Sequence, residues 1–279
     1  MGLPCQRSTL LSQPCRGWIA AAALLCVRQT DAQTAPEPTI WIDALQSTQS
    51  VNLAGNGLSS TDQSFVYEPA AFNGRPAFLT DGLSLYFEGV QLNAEATLFA
   101  VVQSDADFQT WGCIFWHGDH DLDFGLERVG DSGDMNLQTR NDNSGCLIPN
   151  AHGQPTIWSG RIDAAGRLFS KITSVDGALA KEQSTGPCQG TASGRPSPGV
   201  KRVAVGSNAI NRNEKFNGLV AELMYFNSAL TEEEMQQVEV DLFHKWLADD
   251  PPTQGCTGVD CGTGGTCEDV RMCAWVANN

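Results

Sequence analysis

Residues 216–247 read FNGLVAELMYFNSALTEEEMQQVEVDLFHKWL. The stretch predicts a buried strand, a tight corner and a capped amphipathic helix. Leu219, Val220, Ala221, Leu223, Met224, Tyr225 and Phe226 form an apolar run broken only by Glu222, as expected of a strand covered on both faces. Asn217-Gly218 turns the chain into it, and Asn227-Ser228 turns the chain out. Thr231 offers a hydroxyl to cap the helix, and Glu234 completes a capping box. Glu232, Glu233 and Glu234 face the positive end of the helix dipole, with His244 and Lys245 near the negative end. Met235, Val238, Leu242 and Trp246 fall on one face, each contributing roughly 1.5–3 kcal/mol when buried. Asp249, Asp250, Pro251 and Pro252 stop the helix and mark a domain boundary.

Working outward, the chain has 279 residues and a formal charge of -15. Beyond residues 1–32, 14 basic residues stand against 31 acidic ones, a net of -17. Such a surface repels nucleic acid and anionic membranes, so neither is an expected partner. With 28 Gly, 13 Pro and one convincing long helix, the composition predicts a β-rich, turn-rich domain.

Residues 1–32 have the pattern of a secretory signal peptide. Arg7 and Arg16 precede the apolar residues 18–27 (WIAAAALLCV), and the small Thr30 and Ala32 precede Gln33. Those apolar residues are too few for a membrane span, which takes about 20. An uncleaved anchor or an organelle leader is the competing reading. The mature protein is expected to be secreted and extracellular, without a membrane span. No Asn-x-Ser/Thr site occurs, so N-glycosylation is not expected.

After a spacer at 33–38, strand-like runs follow in order. They are 39–44, 77–79, 83–87, 96–102, 113–116, 124–129, 135–139, 156–162, 168–173 and 202–205. Residues 77–79 and 83–87 look like paired strands about the Thr80-Asp81-Gly82 turn. Residues 46–64 read as a long loop. There is no βαβ alternation, and the pattern predicts an all-β, two-sheet antiparallel jelly-roll sandwich with one C-terminal helix and a small disulfide-rich tail.

Seven cysteines follow the leader: Cys113, Cys146, Cys188, Cys256, Cys261, Cys267 and Cys273. Cys146 and Cys188 both sit in loop-like sequence and are the first choice of pair in an oxidising compartment. Cys113, between Trp111 and Phe115 in an apolar run, reads as a buried free thiol.

Residues 39–249 resemble a concanavalin A-like, laminin-G-like jelly roll. The motifs that carry this are Ile40-Trp41-Ile42-Asp43-Ala44, Asn73-Gly74-Arg75-Pro76-Ala77 with Thr80-Asp81-Gly82, and Thr97-Leu98-Phe99-Ala100-Val101-Val102. The closing Phe216-Asn217-Gly218-Leu219-Val220-Ala221-Glu222-Leu223, with Leu230-Thr231 and His244-Lys245-Trp246, carries most weight. The resemblance implies a fold that hosts lectins, adhesion modules and glycosidases alike. After a linker at 250–255, residues 256–279 resemble the first half of an EGF-like module, through Cys256-x4-Cys261-x5-Cys267 and Gly264-Gly265-Thr266. That resemblance implies Cys256–Cys267 and Cys261–Cys273 pairing. Cys273 comes early and the last two cysteines of the module are missing.

Jelly-roll glycosidases place two Glu and an Asp along one strand, and no such triplet occurs here. A Gly-x-Ser-x-Gly elbow is absent too. Asp119, Asp121 and Asp123 would project to one side of an extended segment, a hard-oxygen set suited to Ca²⁺. The plainer reading is a solvated hairpin end, and no cofactor is required. Trp111, Trp116 and Trp158, with Asp119 and Asn143 as polar neighbours, are the candidates for a carbohydrate platform. Each Trp lies in an apolar run that also suits the core, and Trp41 and Trp246 are assigned to the core outright. The expected function is non-catalytic recognition or adhesion, with an extracellular glycan or a matrix or cell-surface protein as partner. The alternatives are a jelly-roll glycoside hydrolase acting on polysaccharide and a structural wall or matrix component.

Overall fold

A computed structural model of the chain describes residues 36–61, 64–105, 111–118, 124–129, 134–138, 146–148, 153–174, 197–209 and 214–248. All of them lie in the unit Pro36–Thr253. The strands are β1 (Ile40–Asp43), β2 (Val66–Phe72), β3 (Arg75–Leu79), β4 (Leu85–Leu92), β5 (Ala96–Ser104), β6 (Gly112–His117) and β7 (Phe124–Val129). They continue with β8 (Asp134–Gln138), β9 (Cys146–Ile148), β10 (Thr156–Ile162), β11 (Leu168–Ser174), β12 (Gly199–Val205) and β13 (Gly218–Phe226). Helix α1 (Glu232–Leu242) follows. One sheet runs β11-β10-β5-β13-β3-β2, with β1 also on β13, and the other runs β4-β12-β6-β7-β8-β9. All named pairings are antiparallel. The fold is the all-β jelly-roll sandwich expected from the residue pattern.

β13 is the central strand of its sheet. It pairs with β5 along one edge and shares the other between β1 and β3. Its inward residues seal the space between the sheets. Tyr225 stacks on Phe115 of β6, with ring centroids 4.7 Å apart. Gly160 of β10 faces β8 so closely that a Cβ there would lie 2.6 Å from Leu137 Cδ1. The side chain of Leu137 fills the place that a larger residue at 160 would occupy.

The capping box forms as the sequence predicts: Glu234 N donates to Thr231 Oγ1, and Thr231 N donates to Glu234 Oε2. The helix does not run on unchanged to Leu247. It ends at Leu242, and Phe243–Leu247 make one wider π turn. A π turn rotates the residues that follow it relative to an α-helix, and here Lys245 and Trp246 both reach Glu222.

Three other expectations are corrected. Residues 77–79 and 83–87 do not pair: β3 joins β2 and β13, while β4 joins β12 in the opposite sheet. The turn between them is a corner that carries the chain across the sandwich. Thr80 pins it by donating from N to Gly218 O and from Oγ1 to Phe216 O, and Asp81 and Gly82 adopt left-handed backbone angles. Strand β2 (VYEPAAF) was not foreseen, because Glu68 and Pro69 interrupt its alternation. It is tolerated at the sheet edge, where a bulge between Glu68 and Phe72 absorbs the proline. Cys146 opens strand β9 opposite Leu137 and is not in a loop. Cys188, the EGF-like residues 256–279 with Cys256, Cys261, Cys267 and Cys273, and the leader lie outside the described residues.

Candidate functional site

The outer face of the six-stranded sheet gathers polar and aromatic groups away from the main core. Alternation along β6, β7, β8 and β12 sends Phe115, Leu126, Leu137 and Val203 inward. It sends Cys113, Trp116 and Ala204 to the other side, where they pack with Tyr86 and Ala209. Cross-strand register then sets Glu127 of β7 between Cys113 of β6 and Asn136 of β8.

Asn136 Nδ2 donates to Glu127 Oε1 at 3.2 Å. The Cys113 thiol lies 3.8 Å from Glu127 Oε2 and 3.7 Å from Glu214 Oε2. Glu214 arrives from the segment before β13, held by Asn208 Nδ2 at 2.9 Å and by the bond from Cys113 N to its carbonyl. Its left-handed φ of 49° sets it apart from ordinary extended backbone. Two acidic side chains, Glu127 buried and Glu214 half-buried, thus flank one buried thiol.

The electrostatics follow from that burial. Glu127 is pushed up to about 7, first by desolvation and then by the Glu214 charge, against the lowering effects of Asn136 and Cys113. The Cys113 thiol is raised well above its ordinary value by burial and by both carboxylates, so it is held as an unreactive thiol. No described Lys or Arg pairs with either carboxylate. Arg202 shares the face, but Glu88 Oε1 and the Ala209 carbonyl accept from its guanidinium, and Lys215 Nζ donates to Gly82 O. Two hydrogen-bonding atoms of this face, Trp116 Nε1 and Asn136 Oδ1, have no partner among the described residues.

The sequence candidates separate here. Trp116 lies on this face, 8% exposed. Trp111, immediately before β6, is 40% exposed and is the one large aromatic of the set open to solvent. Trp158 belongs to the core: it is fully enclosed between the sheets, and its indole donates to Thr156 Oγ1 at 2.9 Å. Asp119, Asp121, Asp123 and Asn143 lie outside the described residues. Cys113 is the buried free thiol the sequence suggested. Glu214 and Asn136 were not anticipated as site residues. Their positions depend on which strands become neighbours, and neither lies in a motif.

A second buried polar cluster sits on the outer side of the other sheet. Glu222 accepts from Trp41 Nε1 (2.8 Å), Lys245 Nζ (2.6 Å) and Trp246 Nε1 (2.6 Å), and Lys245 also reaches Asp43 Oδ2 at 2.6 Å. Every strong group here has a protein partner, so this is a latch that fastens the C-terminal turn to β1 and β13. Trp41 is half-buried and part of that latch, a correction to its assignment to the core. Trp246 is fully buried as expected.

No protein-family model matches the chain, and no curated protein sequence matches it. Solved structures do. Domain 4 of an extracellular arabinanase from Geobacillus stearothermophilus, in complex with arabinotriose, is 15% identical, with a TM-score of 0.48 over 72% of this chain and 98% of that one. A Trypanosoma rangeli sialidase in complex with a difluorosialic acid is 9% identical, with a TM-score of 0.53 over 84% of this chain and 40% of that one. The receptor-binding domain of botulinum neurotoxin type G is 9% identical, with a TM-score of 0.49 over 74% of this chain and 52% of that one. The chain therefore spans less than half of the sialidase and about half of the toxin domain. At these identities the likeness to the sialidase is one of fold.

Proposed function

We propose that this chain is an extracellular carbohydrate-recognition module that binds through the outer face of the six-stranded sheet and does not turn its ligand over. One observation carries the reading. A buried indole donor, Trp116 Nε1, and a buried amide acceptor, Asn136 Oδ1, stand without described partners beside the carboxyl group of Glu127. The two atoms are enclosed, with under 1 Å² of accessible surface each, so a hydroxyl-rich ligand that paired with them would have to displace what covers this face and would recover the roughly 1–3 kcal/mol that an unpaired buried polar group costs. Trp111, exposed at the entry to β6, supplies an apolar face for a sugar ring. The fold shared with part of a sialidase is consistent with this use, and the secretory pattern of residues 1–32 supports an extracellular location.

A glycan array followed by calorimetric titration tests the reading. Micromolar to millimolar binding, weakened by Trp111→Ala and by Trp116→Phe, supports it. An array with no binder overturns it.

A second reading has one specific observation in its favour. Glu127, pushed up to about 7 with Glu214 nearby, has the electrostatic character of a general acid beside a second carboxylate. Turnover of a polysaccharide panel, abolished by Glu127→Gln while binding persists, would establish the hydrolase.

A further inference from the structure

We infer that Asn73 is a site of spontaneous modification, at which the side-chain amide is converted to a carboxylate as aspartate and isoaspartate, while the fold protects the other two Asn-Gly pairs. The pairs are Asn56-Gly57, Asn73-Gly74 and Asn217-Gly218. A glycine after asparagine leaves the next backbone nitrogen unshielded by a Cβ, so all three start from the same chemistry. Tertiary structure then separates them.

Asn73 and Gly74 form the exposed tip of the β2–β3 hairpin, with left-handed φ of 48° and 72°, the pattern of a two-residue hairpin turn. Among the described residues a single bond holds the Asn73 side chain: Nδ2 donates to Trp246 O at 3.5 Å, at the limit of a hydrogen bond. Strand β2 ends its sheet, and a bulge between Glu68 and Phe72 interrupts its pairing with β3, so the tip opens locally at small cost. Asn56 is exposed as well, but its amide is tied at both ends. Its Nδ2 donates to Thr39 O at 2.6 Å, and its Oδ1 accepts from Asn52 Nδ2 at 3.0 Å and from Leu58 N at 3.2 Å. Asn217 is half-buried, and Gly218 enters the ladder opposite Ser104, where a Cβ at 218 would collide with Gln103 O. That backbone has no room to fold onto the Asn217 side chain.

In the reaction, solvent hydroxide takes the Gly74 N–H proton and the nitrogen attacks Asn73 Cγ. The N–Cγ bond forms, the Cγ–Nδ2 bond breaks, and Nδ2 takes a proton from water and leaves as ammonia. Water then opens the five-membered imide at either carbonyl, giving aspartate or isoaspartate, with no electron transfer. The next residue makes the change consequential. Arg75 Nη1 and Nη2 donate to Trp246 O at 3.2 Å and Ala248 O at 3.0 Å, so the hairpin tip clasps the end of the C-terminal turn. Isoaspartate adds one methylene to the main chain just before Arg75 and displaces that clasp.

The test ages the full chain at pH 8 and follows each Asn-Gly pair by peptide mapping with mass spectrometry, using enzymatic isoaspartate methylation to read the isomer. The same chain in guanidinium chloride is the reference, in which the three pairs should react at similar rates. In the folded chain Asn73 should react at least about tenfold faster than Asn56 or Asn217, which must first give up hydrogen bonds or packing. Asn56 or Asn217 reacting as fast as Asn73 in the folded chain, or Asn73 protected as well as they are, overturns the assignment. Aged wild type should melt below fresh protein, while aged Asn73→Ser melts with its own fresh sample. Unchanged melting of protein fully modified at Asn73 overturns the displacement of the clasp.

Discussion

Trp246 Nε1 donates to Glu222 Oε2 at 2.6 Å, joining the π turn after the helix to the buried carboxylate at the middle of the central strand. Lys245 binds the same oxygen from the neighbouring position. The C-terminal turn is therefore held by charge as well as by apolar packing. Lys245→Met should destabilise the fold by about 3 kcal/mol, because it leaves Asp43 and Glu222 buried without a cation. Lys245→Arg should cost less. Urea denaturation of the three proteins measures both differences.

Glu127 links stability to pH. Its folded value of about 7 lies above the ordinary 4.5, so the folded state binds this proton more tightly than the unfolded chain does. Its stabilising contribution is complete below about pH 4.5 and is lost as pH rises through 7. The loss amounts to roughly 3 kcal/mol. Glu127→Gln should flatten that part of the pH–stability profile and melt at a higher temperature than wild type at pH 8. A variant whose profile keeps the wild-type slope between pH 5 and pH 8 would show that another group is responsible.

Gly160 and Leu137 set the spacing of the sheets. With Leu137 Cδ1 only 2.6 Å from where a Cβ would sit, Gly160→Ala should cost about 1–3 kcal/mol through overpacking. The double variant Gly160→Ala/Leu137→Ala should cost less than the sum of the single changes, since each relieves the other's defect. Additive losses in a double-mutant cycle would contradict the contact.

Thr231 caps the helix through Glu234 N. Thr231→Ala should remove about 1 kcal/mol of stability, and Thr231→Ser much less. Chemical denaturation of the pair reads the difference directly.

Trp111 and Trp158 should separate by role. Trp111→Ala removes an exposed apolar face and should weaken glycan binding several-fold with little change in melting temperature. Trp158→Ala should unfold or strongly destabilise the protein, by about 3–5 kcal/mol, because its indole is enclosed between the sheets. Titration and thermal melts on the same samples distinguish the two.

Much of the fold is legible in local pattern. The apolar runs of β1, β5, β10 and β13 are explicit in residues 40–43, 96–104, 156–162 and 218–226, as is the capping box at Thr231 and Glu234. Strand β2 was hidden because an edge strand tolerates Glu68 and Pro69, which a pattern rule rejects. The pairing of β3 and β4 was misjudged because a short turn between apolar runs reads the same whether it closes a hairpin or crosses between sheets. Of the site, Trp111 and Trp116 were named as ligand candidates and Cys113 as a buried free thiol, while no motif marks Glu127, Asn136 or Glu214.

Sequence alone determined that residues 216–247 make a buried strand followed by a capped helix, because periodicity and capping are local and need no partner. It also determined the β-sandwich class, through the recurrence of short apolar runs without intervening helices. Tertiary structure alone decided that Glu222, the one polar interruption in that strand, is the anchor of the C-terminal turn. It likewise brought Glu127, Asn136, Cys113 and the half-buried Glu214 into one cluster from four separate segments. The reason is physical: hydrogen-bond partners far apart in the chain are chosen by strand order and register, and side-chain spacing within any one segment carries no record of that choice.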